Sequence, residues 1–323
     1  MKAPHRTSTL LACALALLVV TAVAAQSQRP AFRAAVDLVS MNVTVTDSSR
    51  HYVSDLVRDD FTIVENGVPQ TLTFFAKQGI PLALAVLIDS SASMEQSLPV
   101  AQEAAIGFTR QLDPKDIGMI VDFDSRVQIR QGFSSDHGAL EQAIRQTAAG
   151  GSTALFNAIY IALKELNKLI PEDNPEAPRR RAIVVLSDGE DTSSLVNFDE
   201  VLDLASRSDT VIYAIGLGAH ELPIARAGHT DGQFVLRRLA QQTGGRAFFP
   251  TDVKELAGVY SEIRNEISNQ YSLAYESAAT KRDGQWRGIA VRVNRAGATV
   301  RTRQGYFAPK TASLPRPNPN ADH

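Results

Sequence analysis

Leu82-Ala83-Leu84-Ala85-Val86-Leu87-Ile88-Asp89-Ser90-Ser91-Ala92-Ser93 is an unbroken apolar run that stops abruptly at a carboxylate and three hydroxyls. A strand with one wet face alternates apolar and polar residues, so a strand apolar at every position must be covered on both faces. Similar runs recur at 117–123, 182–186 and 211–216. Stretches with apolar residues three and four apart, the helical spacing, occupy 98–111, 153–169, 198–208 and 234–242. Strands alternating with helices predict an α/β fold: a doubly wound, Rossmann-like, mainly parallel sheet with helices on both faces.

In such sheets ligands bind at the carboxyl ends of the strands, which is where Asp89, Ser91 and Ser93 fall. The run 183–186 ends in the same way, in Ser187-Asp188-Gly189, and Gly150-Gly151-Ser152-Thr153 brings a hydroxyl to a predicted helix start. An Asp-x-Ser-x-Ser string alone is weak evidence, because serines and aspartates also cap helices and close turns. Three oxygen-bearing loops predicted at one edge, without a histidine or cysteine among them, form the donor set of a hard divalent cation.

These residues resemble the metal-ion-dependent adhesion site of von Willebrand factor type A domains, over about residues 80–270. The resemblance implies that Ser91, Ser93 and Thr153 give hydroxyl oxygens to Mg2+ or Mn2+, while Asp89 and Asp188 hold it chiefly through water. It also implies a protein partner that presents an Asp or Glu to the metal. The flanks Val43-Thr44-Val45-Thr46-Asp47, Asp60-Phe61-Thr62-Ile63-Val64-Glu65-Asn66-Gly67-Val68-Pro69-Gln70 and Gln304-Gly305-Tyr306-Phe307-Ala308-Pro309 are similar to an exported VWFA-related family described from acidobacteria.

The flanks read as β structure. Val39, Met41, Val43 and Val45 alternate with polar residues, and a change of phase at Leu38-Val39 suggests a bulge. Asn66-Gly67 predicts a hairpin turn between 61–65 and 71–74. After a helix opened by a capping box at Thr251-Asp252 with Glu255, short strands are predicted at 271–275, 289–293 and 298–302. The expected organisation is a leader at 1–25, a small β domain built from 33–79 and 271–309, the α/β domain at 80–270 and a disordered, proline-containing tail at 310–323.

Met1-Lys2 and Arg6 precede an apolar run of about 14 residues and the small residues Ala22-Val23-Ala24-Ala25, the pattern of a secretory signal peptide. The run is shorter than the roughly 20 residues a membrane span needs, so the mature chain is expected to be exported, periplasmic or secreted, without a stable span. The only cysteine, Cys13, lies in this leader. Too little apolar sequence precedes it for a lipoprotein anchor, and the mature chain has no disulfide. The 33 basic and 35 acidic residues give a net charge of -2 without a basic block, which speaks against nucleic-acid binding.

Other polar groups carry blander readings. Asp122 and Asp124 read as capping or supporting residues at the metal edge. The loop with His220, Glu221, His229 and Asp231 reads as a surface loop, and Arg179-Arg180-Arg181 as a solvated flank at the opposite edge. No activated nucleophile or two-metal cluster is evident, so the expected function is protein binding, not catalysis. The alternative is a structural component of a cell-envelope assembly in which the metal stabilises the domain, with a metal-dependent hydrolase the weakest reading.

Overall fold

The computed structural model describes residues 38–77, 79–169, 179–217 and 232–309. The leader with Cys13, the loop with His220, Glu221, His229 and Asp231, and the tail from Lys310 lie outside the described residues. In chain order the strands are β1 (Leu38–Thr46), β2 (Phe61–Glu65), β3 (Val68–Gln70), β4 (Leu72–Ala76), β5 (Leu82–Asp89), β6 (Ile117–Phe123), β7 (Val127–Ser134), β8 (Arg180–Ser187), β9 (Thr210–Gly216), β10 (Ala247–Phe248), β11 (Tyr271–Glu276), β12 (Trp286–Val293), β13 (Thr299–Arg301) and β14 (Gly305–Phe307). The helices are α1 (Leu98–Thr109), α2 (His137–Arg145), α3 (Leu155–Asn167), α4 (Phe198–Arg207), α5 (Gly232–Thr243) and α6 (Leu256–Asn269).

The central sheet has the order β10-β9-β8-β5-β6-β7 and is parallel except for β7, which runs antiparallel to β6. β5 lies at its middle, and its apolar run divides between two cores. Leu84, Val86 and Ile88 join residues of α1, α2 and α6 on one face, while Ala83, Ala85 and Leu87 join residues of α3, α4 and α5 on the other. Each fully buried leucine, valine or isoleucine side chain here stabilises the fold by about 1.5–3 kcal/mol, so the apolar run is itself the reason for the three-layer architecture. The chain passes from β5 to β6 on one side and returns through β8 on the other. The β5–β8 seam is therefore the switch point, where the loops diverge and open a crevice.

The short strands β3, β10 and β14 were not expected from the sequence, nor were the longer elements β7 and α2. β7 is an edge strand whose residues are at best half-buried, with two register irregularities against β6, so it carries neither an apolar run nor a clean alternation. α2 is only 9 residues long, opened by Asp136, whose side chain accepts from Gly138 N–H and Ala139 N–H.

The flanking segments form two further four-stranded sheets, β13-β1-β11-β4 and β14-β12-β2-β3. Both sheets combine strands from the N-terminal and C-terminal segments, alternating in the first and side by side as two pairs in the second, all antiparallel. Asn66 and Gly67 both have positive φ, 46° and 85°, as the predicted tight turn requires. The hairpin partner differs from expectation, however: β2 pairs with Val68–Gln70, and the chain then crosses at Thr71 so that β4 joins β11 in the other sheet. The bulge expected at Leu38-Val39 is also corrected. β1 pairs in regular register from Leu38↔Glu276 to Val43↔Tyr271, and the irregularity falls instead between Ala274 and Tyr275.

Polar side chains fasten the flanking sheets to the amino-terminal ends of the central strands. Arg303 pairs with Asp209 at 2.8 Å, and Arg301 pairs with the buried Glu266 at 2.5 Å. Tyr213 Oη donates to Glu266 Oε1 (2.9 Å), while Gln270 Nε2 donates to Tyr213 Oη (2.9 Å) and Thr44 Oγ1 (3.2 Å). The arginine triplet is likewise not a solvated flank. Arg179 donates to Leu82 O and Lys115 O, Arg180 to Ile80 O and Ile267 O, and Arg181, largely buried, pairs with Asp209 at 3.3 Å. Strand starts and helix ends expose carbonyls there, and guanidinium groups satisfy them.

At α6 the acidic cap works one position away from the predicted box. Asp252 accepts from Lys254 N–H (2.9 Å), while Glu255 reaches back to Thr251 N–H (3.1 Å). A short 3-10 turn, Val253–Glu255, precedes the helix.

Candidate metal centre

β5 ends at Asp89 and β8 at Ser187, and the parallel register that pairs Ile88 with Leu186 sets these two side by side. Ser187 Oγ donates to Asp89 Oδ2 at 2.6 Å, and Ser91 N–H donates to Asp89 Oδ1 at 2.9 Å. Beyond them, Ser91 Oγ and Ser93 Oγ lie 3.0 Å apart, and Ser93 Oγ donates to Asp188 Oδ2 at 2.7 Å. Four of the five residues singled out in the sequence thus stand in one bonded chain. The fifth, Thr153, is brought to the same edge by its loop: Ala92 N–H donates to Gly151 O (3.1 Å) and Gly150 N–H to Ser90 O (2.7 Å).

Asp89 is completely buried, yet its partners are hydroxyl and amide groups without a cation among them. Burial pushes its carboxyl up to about 6, against the opposing pull of the Ser187 and Ser91 hydrogen bonds, and the Asp188 charge raises it further. A buried carboxylate is normally paired or bound to a metal. Among the described residues no three His, Cys, Asp or Glu side chains cluster as a metal cage, and the oxygens gathered between Asp89 and Asp188 are the hydroxyls of Ser91 and Ser93. Such a set fits a hard cation that keeps some waters, as Mg2+ does, and suits no soft metal.

Two supporting residues, Ser187 and Arg130, were not expected from the sequence. Ser187 orients Asp89 and also accepts from Gly189 N–H at 3.0 Å; its place at a strand end opposite Ile88-Asp89 was the available signal. Asp122, read as a supporting residue, accepts from Ser90 Oγ at 2.5 Å and from Arg130 at 2.6 and 2.9 Å. Arg130 comes from β7 and was invisible until that strand was placed. Asp124 accepts from Arg126 N–H (2.7 Å), and its carbonyl accepts from Ala154 N–H (2.8 Å), fixing the start of α3.

Gly189 closes the site on the other side. Its φ is +86°, and a Cβ there would stand 2.6 Å from Gly232 O at the start of α5. Gly189→Ala is expected to combine a left-handed backbone penalty with a backbone clash, costing about 3 kcal/mol and weakening metal binding by moving Asp188. Chemical denaturation and metal titration of that variant check it; unchanged values in both would show that α5 can retreat freely.

Residues 84–190 match the family model described as the von Willebrand factor type A domain, so the chain contains a domain of this class. Inter-alpha-trypsin inhibitor heavy chain H1 of Sus scrofa is 26% identical over 246 residues, covering 72% of this chain and 26% of that protein. The chain therefore spans about a quarter of the length of this relative. Among solved structures, a von Willebrand factor type A protein from Catenulispora acidiphila superposes with a TM-score of 0.50 at 12% identity, over 86% of this chain and 74% of its own. Proximal thread matrix protein 1 of the mussel byssus, solved with a zinc-occupied MIDAS motif, gives a TM-score of 0.48 at 16% identity over 63% of this chain and 49% of its own. At 12% identity the likeness to the Catenulispora acidiphila structure is one of fold.

Proposed function

We propose that this chain is an exported binding module that captures a protein partner through an Asp or Glu side chain at a divalent-metal centre made by Asp89, Ser91, Ser93, Thr153 and Asp188. The observation that carries the reading is the buried, cation-less Asp89 carboxylate joined to Ser91, Ser93 and Asp188 at the sheet's switch point. Mg2+ or Mn2+ would supply Lewis acidity toward an outside carboxylate oxygen, which neutral hydroxyl donors leave largely undiminished. Ser187 and the Ser91 amide orient Asp89. Asp122, held by Arg130, fixes Ser90, and the Gly150–Thr153 loop, tied by its backbone to Ser90 and Ala92, would let Thr153 contribute its hydroxyl.

Domains of this class generally act as interaction modules, which supports binding over catalysis. Export rests on the leader sequence, and the flanking β segments are read as one small domain at 33–79 and 271–309 beside the α/β domain at 80–270. Asp89 also favours a second reading, because a metal that neutralises a buried carboxylate stabilises the fold whether or not it touches a partner.

The two readings separate in an association experiment on the full chain with cell-envelope extract. A partner retained in Mg2+ but reduced more than about tenfold in EDTA and by Ser93→Ala supports metal-bridged capture, since a direct contact of about 1.4 kcal/mol or more is lost. A partner retained under all three conditions moves the contact elsewhere and leaves the metal a stabilising role.

A further inference from the structure

The loop that follows Asp188 is tied to the start of α3 by both backbone and side-chain hydrogen bonds. Thr192 N–H and Ser193 N–H donate to Thr153 O at 2.9 and 3.0 Å. Phe156 N–H donates to Asp191 Oδ1 (3.1 Å) and Asn157 N–H to Ser194 Oγ (2.9 Å), so the loop satisfies amides that the first turn of a helix leaves unpaired. In return Asn157 Oδ1 accepts from Leu195 N–H (3.1 Å) and Val196 N–H (3.2 Å). Backbone on both sides of Leu195 is thereby fixed, and Val196 packs against the core.

Leu195 itself points away from all of this. It is 95% exposed, whereas the next most exposed large apolar side chain among the described residues, Val57, reaches 59%. A scattered surface leucine needs no explanation, but this one sits on a preorganised loop between the metal edge and α3, where a contact costs little ordering entropy. A second exposed apolar side chain, Phe234 at 54%, lies in the first turn of α5, whose Gly232 packs directly on the Asp188–Gly189 backbone. Two apolar side chains therefore stand on the two elements that meet at Asp188. Exposed Glu95 and Glu190 leave the surroundings acidic, so a carboxylate could approach only where a cation offsets them.

We propose that Leu195 is the apolar anchor of the partner contact, and that the partner is a protein segment with an aliphatic or aromatic side chain within a few residues of its metal-seeking carboxylate. This rests on the metal-bridged reading above and specifies its partner. A phosphate-bearing polymer or lipid headgroup would use the cation and leave Leu195 idle; an apolar-flanked acidic segment uses both.

Fluorescent synthetic peptides with a central Glu, flanked either by Leu and Phe or by Ser and Gln, test this against the full chain expressed with its leader. In Mg2+ the apolar-flanked peptide is expected to bind at least about fivefold better, a ratio set by burying part of one side chain. Leu195→Ser should erase the preference and Leu195→Met restore it, with Mg2+ titration unchanged in both variants. Metal-dependent binding without that preference, or with the preference intact in Leu195→Ser, overturns the anchor and leaves metal-bridged capture standing. Absence of Mg2+-dependent binding to either peptide overturns both. A Mg2+-dependent dimer that Leu195→Ser dissolves would assign the patch to a second copy of the chain, against the proposal.

Discussion

Asp89→Asn is expected to eliminate Mg2+ and Mn2+ binding and, at the same time, to make the metal-free protein more stable at neutral pH. The rise of the Asp89 carboxyl from 3.8 to about 6 corresponds to about 3 kcal/mol of unfavourable interaction with its ionised form. Asparagine retains an acceptor for Ser187 Oγ or the Ser91 amide while removing the buried charge, so a gain of about 1–3 kcal/mol is expected without metal. Wild-type protein should gain about 2.7 kcal/mol from metal at a hundredfold excess over Kd; the variant should gain nothing. Calorimetric titration and thermal melts with and without EDTA give all three values, and an equal metal-induced rise in Tm in both proteins would remove Asp89 from the site.

The same group gives a pH dependence with a definite sign. Its folded value lies above its unfolded one, so the native state holds more protons between about pH 4 and 6. The contribution of Asp89 to stability is therefore greatest below that window and is lost as pH rises through about 6. Metal binding runs the other way. It requires the ionised carboxylate, so affinity should be level above pH 6 and fall about tenfold per unit below it. Metal-induced stabilisation that grew on acidification would contradict this assignment.

Glu65→Ala is expected to destabilise the whole unit by about 3–5 kcal/mol, because it leaves a buried cation and buried hydroxyls without their acceptor. Glu65 ends β2 and is 2% exposed. Its Oε2 accepts from Tyr275 Oη at 2.6 Å and Tyr306 Oη at 3.0 Å, its Oε1 accepts from Ser277 Oγ at 2.8 Å, and Arg287 lies 3.6 Å away. Burial, reinforced by the Glu65 carboxylate, holds the Tyr275 hydroxyl well above its ordinary value. Because Tyr275 belongs to β11 and Glu65, Arg287 and Tyr306 to the other flanking sheet, this one carboxylate joins the two sheets. Glu65→Gln, which keeps an acceptor and the shape, should lose much less. Urea denaturation distinguishes them, and equal losses in both variants would show that the charge, not the hydrogen bonding, matters.

The α/β fold could be read from the sequence because burial on both faces admits only apolar residues, and 82–88 carries nothing else. The candidate site could be read for a related reason: Asp89 and Asp188 interrupt apolar strands at their carboxyl ends, where polar residues are tolerated only at the edge. The Asn66-Gly67 turn followed from local backbone sterics alone. Partner choice was another matter. That β2 pairs with 68–70 and β4 with β11, that Arg179 to Arg181 cap carbonyls at the opposite edge, and that Arg130 holds Asp122 and through it Ser90 all depend on contacts between residues distant in the chain. Ser187 as the orienting partner of Asp89, Glu65 as the tie between two sheets and Leu195 as an outward-facing side chain on a fixed loop belong to the same class. Sequence determines which residues must be buried and where the backbone can turn, since those are properties of each residue and its neighbours; only the tertiary structure decides which buried polar groups satisfy one another, because that depends on distances the chain order does not contain.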